Sequence, residues 1–332
     1  MPVFVEPQMN NLLLEVKDLV KSFPLKKTKF FQETRYVYAV SGVSLSLKKG
    51  ETLGLVGESG CGKTTTGRTI LRLIEPTSGS IHFEGQDVAG FDEHALKKFR
   101  RNAQMIFQDP FASLNPRMTV GDIVAEPLLV HGMGNKAQRT DRVAEVLEKG
   151  GLEADYMKRF PHEFSGGQRQ RIGVARVLTL NPKLIIADEP VSALDVSVQA
   201  QVINLMQDLQ DEFKVTYIFI SHDLSVVKHM AHRIAVMYLG FIMEMGPAEQ
   251  IYNNPLNPYT KILLSAVPEA DPRKKVKKQP LKGEVPSSMH KPRGCCFHPR
   301  CPIAQEICKK EDPMLEEKKK GVSVKCHFPG KL

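Results

Sequence analysis

A chain of 332 residues, 42% hydrophobic and 25% charged, has the balance of an ordinary globular protein and the length for one large α/β core plus an appendage, since single cores stop growing near about 250 residues. No stretch approaches the roughly 18 uninterrupted apolar residues of a membrane-spanning helix, and the N-terminus carries no basic-then-apolar signal segment, which predicts a cytoplasmic chain. The formal net charge of +9 admits nucleic acid, an anionic membrane surface or phosphate-bearing ligands as partners. Much of the excess lies at residues 273–278 and 318–320, runs that read as solvated linkers.

In chain order, residues 12–20, 38–47 and 79–83 read as short strands, several with apolar and polar residues alternating, and predict an antiparallel β-subdomain. A basic, aromatic-spotted loop spans residues 24–35. Phe23 and Tyr38 are aromatics able to stack on an adenine, and each reads equally as ordinary core. Residues 51–56 (ETLGLV) predict a buried strand and residues 65–74 a helix. Between them Gly57-Glu58-Ser59-Gly60-Cys61-Gly62-Lys63-Thr64 fits the phosphate-binding pattern G-x-x-x-x-G-K-[ST]. Its glycines let backbone N–H groups turn inward around phosphates, and the dipole of the helix that opens near Thr65 faces the anion. Lys63 would reach the β- and γ-phosphates, and the Thr64 hydroxyl would ligate Mg²⁺.

Downstream, residues 101–107 predict a strand ending at Gln108, where a glutamine can ligate Mg²⁺ and orient water. A segment from there to about residue 157 has helical periodicity. Ser165-Gly166-Gly167-Gln168 precedes a helical run at residues 171–180; a serine N-cap and two glycines that permit close backbone approach make a second anion-binding helix start. Residues 184–190 (LIIADEP) predict a buried parallel strand ending in two acids. Asp188 suits Mg²⁺, directly or through water, and Glu189 suits polarisation of an attacking water. Asp195 closes a Ser-Ala-Leu-Asp loop, a helix follows at 197–212, and His222 ends the next strand, placed to hydrogen-bond a γ-phosphate.

This order of motifs resembles the ATP-binding-cassette ATPases over roughly residues 10–250. The resemblance implies an α/β, P-loop NTPase (RecA-like) core with an antiparallel β-subdomain and a helical subdomain at about 110–175, followed by a tail at 251–332 with a small Cys-rich appendage. It implies that two cassettes pack head to tail with ATP between one P-loop and the other's signature, so a chain with one cassette needs a second. Matched by position, Lys63 and Thr64 would bind phosphate and Mg²⁺, Gln108 would sense the γ-phosphate, and Asp188 would hold the metal through water. Glu189 would be the general base and His222 would steady the γ-phosphate. Ser165 and Gly167 would complete the opposing site, with Asp195 coupling the two.

Narrower stretches sharpen the match: QDPFASLNP at 108–116, Asn257-Pro258-Tyr259-Thr260, Gly283-Glu284-Val285-Pro286, and GCCFHPRCP at 294–302. Together they look like the ATP-binding subunits of bacterial oligopeptide and dipeptide importers, particularly the F-type subunit. That resemblance implies ATP-driven peptide import with a second, different ATPase subunit, two transmembrane permease subunits and an extracellular or periplasmic peptide-binding protein. It also implies a peripheral place at the cytoplasmic face of the membrane and no nucleic-acid partner. Asn257 stands where that tail usually has histidine, away from the ATP site, and little consequence is expected. Importers of nickel and other small solutes share the subfamily, which leaves the cargo open.

Five of the six cysteines fall between Cys295 and Cys326, which in a reducing compartment suggests metal ligation over disulfides. Cys295, Cys301, Cys308 and Cys326, with Cys296 as a spare, could enclose a [4Fe–4S] cluster or Zn²⁺, or stand as free thiols. The spacing lacks the C-x-x-C knuckles of zinc ribbons, and the resemblance favours the cluster because related importer subunits carry one. A structural role fits a tail with little core of its own; redox sensing is the rival. Two other functions compete with import. A soluble cassette protein acting on DNA or ribosomes would fuse two cassettes or insert coiled coils, and its basic runs would interleave aromatics. A regulatory iron–sulfur protein with a scaffold cassette would need neither Glu189 nor His222.

Overall fold

The computed structural model describes residues 11–25, 34–109, 113–266, 283–289 and 291–332. Most of the aromatic-spotted loop (26–33), residues 110–112 of the glutamine-loop stretch and the basic run at 273–278 lie outside the described residues.

The chain opens with β1 (Leu12–Pro24), β2 (Tyr36–Lys48), β3 (Thr52–Val56), α1 (Lys63–Ile70), β4 (Ser78–Phe83) and β5 (Gln86–Asp87). It continues through α2 (Glu93–Asn102), β6 (Ala103–Ile106), α3 (Val120–Val130), α4 (Lys136–Lys149), α5 (Gly166–Leu178), β7 (Leu184–Asp188), α6 (Val196–Phe213) and β8 (Thr216–Ser221). It closes with α7 (Leu224–Met230), β9 (Arg233–Tyr238), β10 (Phe241–Pro247), α8 (Ala248–Asn253), α9 (Pro258–Ser265), α10 (Glu306–Lys310), β11 (Leu315–Lys319) and β12 (Val322–Lys325). Two compact units emerge, and the chain passes between them more than once. Ser46–Thr52 and His82–Ile220 lie in the first, Val16–Leu45, Leu53–Ile81 and Ser221–Leu332 in the second.

In the first unit β6, β7 and β8 run parallel with β7 between the others, Ile106 opposite Ala187 and Asp188 opposite Ile220. Every residue of β7 and β8 is buried, as continuous apolar strands covered on both faces must be. The register ends the strands level, so the residues that follow β6 and close β7 share one end of the sheet. Helices α3, α4 and α5 pack on one another through apolar positions three and four apart, such as Val120, Ile123 and Val124, or Val143, Val146 and Leu147. The segment of helical periodicity that runs to about residue 157 divides into α3 and α4 at Gly132 and Gly134, whose φ angles are +65° and +66°.

In the second unit β3 pairs parallel with β9, β9 antiparallel with β10, β10 with β12 and β12 with β11. The C-terminal hairpin is therefore the edge of the sheet that carries β3. Gly54 in β3 lets α7 lie close, since a Cβ there would meet Val227 Cγ1 at 2.3 Å.

Asn257, which stands where the tail usually has histidine, is a buried junction of this unit. Its amide donates to the carbonyls of Met243 (3.1 Å) and Lys325 (3.0 Å), and its Oδ1 accepts from the Tyr259 N–H (2.9 Å) to cap α9. Its own N–H donates to Glu244 Oε2 (3.1 Å), while Oε1 accepts from the Leu256 N–H (2.7 Å). One side chain thus joins β10, β12 and α9, a role set by contacts 14 and 68 residues away. Asn257→Ala removes the cap and two hydrogen bonds to carbonyls of buried residues, a loss of about 2–3 kcal/mol. We expect thermal unfolding to shift down by roughly 5 °C or more; an unchanged Tm would refute the junction.

Candidate functional site

β3 delivers the chain into a loop that only glycine can trace at three points. Gly57, Gly60 and Gly62 have φ of +151°, +77° and +108°, where L side chains are strained. A Cβ on Gly57 would lie 2.1 Å from the Met237 carbonyl oxygen, and one on Gly62 2.1 Å from that of Ala39. The loop is therefore seated against the backbone of β9 and β2, with Ser59 and Gly60 at its exposed tip. Buried Lys63 spans it, its ammonium donating to the carbonyls of Gly57 (2.8 Å) and Glu58 (3.1 Å). Helix α1 starts at Lys63, two residues earlier than the sequence suggested, so Lys63, Thr64 and Thr65 all occupy its first turn. No carboxylate in that turn neutralises the positive end of the helix. Cys61 is a packing residue whose thiol pKa burial pushes up against the opposing pull of Lys63.

Phe23 and Tyr38 are 37% and 47% exposed, so neither is core. The Lys21 ammonium lies 5.0 Å over the Phe23 ring, whereas Tyr38 directly precedes Ala39, the residue whose carbonyl abuts Gly62. Tyr38 is thus one residue from a backbone contact of the loop. His222 is exposed in the turn after β8. That turn is set by the Asp223 N–H donating to Ser221 Oγ (3.0 Å) and by Asp223 Oδ1 capping α7 at the Ser225 N–H (2.8 Å).

In the first unit, Asp188 closes β7 at 0% exposure. Glu189 leaves the strand with φ of +45°, a conformation uncommon outside glycine and costly unless its surroundings enforce it. They do: its N–H donates to the Ile220 carbonyl (2.9 Å), and its own carbonyl accepts from Ser192 Oγ (3.1 Å). Its carboxylate accepts from Gln108 Nε2 at 2.9 Å, which joins two residues that the sequence singled out separately. Asp188 and Gln108 carry oxygen donors of the kind Mg²⁺ takes.

Ser165 caps α5, its Oγ accepting from the Gln168 N–H (3.3 Å) while Gln168 Oε1 accepts from the Ser165 N–H (3.0 Å). The helix begins at Gly166, five residues before the run expected at 171–180. Gly167 has no room for a side chain, since a Cβ would meet Val198 Cγ1 at 2.3 Å, and Gly166 faces Leu194 Cδ2. The signature and the Ser-Ala-Leu-Asp loop are thus neighbours, and Ser165 and Asp195 are both exposed.

Cys295, Cys301, Cys308 and Cys326 line one cavity of about 20 Å³, together with His298 and His327. None of these four cysteines forms a disulfide. Burial, with smaller contributions from the other cysteines, pushes Cys295 and Cys301 up to about 11. Cys296 points elsewhere, its Sγ 3.7 Å from Met243 Sδ. Among the described residues no three His, Cys, Asp or Glu side chains are arranged to hold one metal ion. Sequence reasoning missed Arg300, whose guanidinium grips the P-loop residue Glu58 at 2.7 and 3.1 Å. Two opposite charges 242 residues apart follow no spacing rule, and the only signal was an arginine inside a Cys- and Pro-rich run.

The mixed sheets, the P-loop and the acid-ended strand define a P-loop ATPase of the ATP-binding-cassette class. Residues 40–192 match the ABC transporter family, and residues 243–308 match the C-terminal region of the oligopeptide/dipeptide transporter family. The oligopeptide transport ATP-binding protein AppF of Bacillus subtilis is 56% identical over 95% of this chain and 97% of its own. A Sinorhizobium fredii protein named as a peptide ABC transporter ATP-binding protein is 49% identical over 96% and 90%. Among solved structures, the dimeric ATP-binding cassette MJ0796 with ADP and Pi superposes with a TM-score of 0.63 at 29% identity, over 71% of this chain and 99% of that one. The chain belongs to the ATP-binding proteins of peptide ABC transporters.

Proposed function

We propose that this chain is the ATP-hydrolysing subunit that powers import of di- and oligopeptides through a membrane ABC transporter. One observation carries the reading: an intact P-loop and a Gln108-held Glu189 occur in a chain whose tail matches the oligopeptide/dipeptide transporter region. Loop N–H groups from Gly57 to Thr65 and the Lys63 ammonium bind the β- and γ-phosphates, and Tyr38, in preference to Phe23, stacks on adenine. Thr64, Gln108 and, through water, Asp188 would hold Mg²⁺, which when bound neutralises charge on the phosphate oxygens. Glu189 takes the proton of the attacking water, with its carboxylate oriented by the Gln108 amide. His222 hydrogen-bonds the γ-phosphate.

The signature from Ser165 through Gln168 completes the nucleotide site of a second cassette, and Asp195 couples the two sites; exposure of Ser165 and Asp195 supports this. The second cassette is a different ATPase subunit, and the complex includes two permease subunits and an extracellular or periplasmic peptide-binding protein. No helix among the described residues is long and apolar enough to cross a membrane, so attachment at the cytoplasmic face goes through the permeases. Residues 10–250 form the cassette and 251–332 the transporter-type tail.

Cys295, Cys301, Cys308 and Cys326 hold a [4Fe–4S] cluster in this reading. Four thiols around one cavity supply the donor set. Their spacing in the sequence lacks the C-x-x-C knuckles of zinc ribbons.

Glu189→Gln should leave the chain accumulating and binding ATP while ATP-driven uptake of labelled di- and oligopeptides falls at least about a hundredfold; unchanged uptake in cells lacking a second copy would contradict peptide import. Anaerobically purified protein should contain about four iron and four acid-labile sulfide per chain, and absence of both would remove the cluster.

A further inference from the structure

Glu58 is the first variable residue of the P-loop, and its N–H, carbonyl and carboxylate are all engaged. The N–H donates to the Tyr259 hydroxyl (3.1 Å), and the carbonyl accepts from the Lys63 ammonium (3.1 Å) and the Cys61 N–H (3.2 Å). The carboxylate receives both arms of the Arg300 guanidinium (2.7 and 3.1 Å). Arg300 is only 8% exposed and also reaches the Tyr238 hydroxyl (3.4 Å).

Arg300 ends the short turn His298–Arg300, bracketed by Cys295 and Cys301 of the four-cysteine cavity. The turn is closed by the His298 N–H on the Cys295 carbonyl (3.0 Å), the Arg300 N–H on Phe297 (3.0 Å) and the Cys301 N–H on His298 (3.3 Å). Phe297, next to the turn, is buried against the rings of Tyr238 (5.4 Å) and Tyr259 (5.2 Å). Those are the two tyrosines whose hydroxyls meet Arg300 and Glu58. A second route runs through the chain after Tyr238, where the Gly240 N–H donates to the Cys61 carbonyl (2.9 Å). The cysteine module therefore reaches the phosphate-binding loop by a charge pair, a hydroxyl and ring packing, all within the second unit.

A bidentate guanidinium–carboxylate pair fixes direction as well as distance. Removing Arg300 would leave the Glu58 carboxylate without its two charge-assisted hydrogen bonds, a cost that a shift of Glu58 toward water would relieve. Because the Glu58 and Gly57 carbonyls hold the Lys63 ammonium, that movement carries the phosphate-binding lysine with it. We propose that Arg300 is a positioning residue for the nucleotide site: through Glu58 it fixes the P-loop, and through it the four-cysteine module sets the affinity for nucleotide phosphate. This rests on the reading of the P-loop as the ATP site.

Titration calorimetry with MgATP on the full chain tests it, each variant measured below its own unfolding transition. Arg300→Met should weaken binding about tenfold, within the usual range of coupling between sites. Arg300→Lys, which keeps the charge and loses the fork, should fall between. Tyr259→Phe, which keeps the ring and removes the acceptor of the Glu58 N–H, should weaken it in the same direction. Cys301→Ser should weaken binding in the wild-type background and add little in the Arg300→Met background, a non-additivity that general destabilisation would not produce. Affinity within about twofold of wild type for Arg300→Met, or for Arg300→Lys and Tyr259→Phe should Arg300→Met not fold, overturns the proposal while leaving the ATP site intact. Failure of the wild-type chain to bind MgATP overturns the ATP-site reading itself, and the proposal with it.

Discussion

A loop can grip a phosphate with its own N–H groups only where the chain turns those donors inward, and here that turn rests on three glycines at positive φ. Two of them, Gly57 and Gly62, are also pressed against the carbonyls of Met237 and Ala39. The loop thus has neither conformational nor spatial freedom on those sides, and its shape is inherited from β9 and β2. That dependence explains why the second unit is built as it is. β3 is buried and pairs with β9, β9 with β10, and the C-terminal hairpin closes the same sheet. Asn257 and Glu244 tie that hairpin and α9 together with buried hydrogen bonds, and α9 supplies the tyrosine hydroxyl that takes the Glu58 N–H. The tail is part of what holds the loop in place.

The first unit holds acids where the second holds donors. A level set of parallel strands ends in a wholly buried Asp188 and a Glu189 forced into left-handed backbone. The strain at Glu189 is supported by main-chain bonds to Ile220 and Ser192, so its carboxylate is delivered off the strand axis to Gln108. The same unit exposes a capped helix start at Ser165 beside the loop that ends in Asp195. A carboxylate on a rigid strand end and an uncharged helix terminus on the surface are different chemical devices, a proton acceptor and an anion-binding end.

What could be read from the sequence was the chemistry that depends on local spacing. The P-loop, the acid-ended strand and the Ser165 cap each need residues within about eight positions, and strand or helix periodicity locates them. Boundaries were less legible, because α1 and α5 start where the loop's hydrogen bonding lets them, at Lys63 and Gly166, and no residue type marks that point. The Phe23 and Tyr38 alternatives could not be separated by sequence, since an alternating strand gives an aromatic the same pattern inside or out. Least legible were contacts made by the tail. Arg300 with Glu58, and Asn257 with Met243 and Lys325, join positions whose meeting is a property of sheet order, and the tail's charge-rich composition gave no hint that part of it lies beneath the P-loop. The four cysteines were legible as a set, but their sharing of one cavity was not.

The grip of backbone N–H groups, at the start of α1 and in the loop before it, on a nucleotide's phosphates is open to direct measurement. Hydrogen–deuterium exchange of peptides covering residues 57–66, recorded with and without MgATP, reports on those groups directly. Strong slowing at Gly60 through Thr65 on addition of MgATP, and little change with adenosine, which lacks phosphates, is the expected outcome. Equal exchange in all three conditions would contradict it.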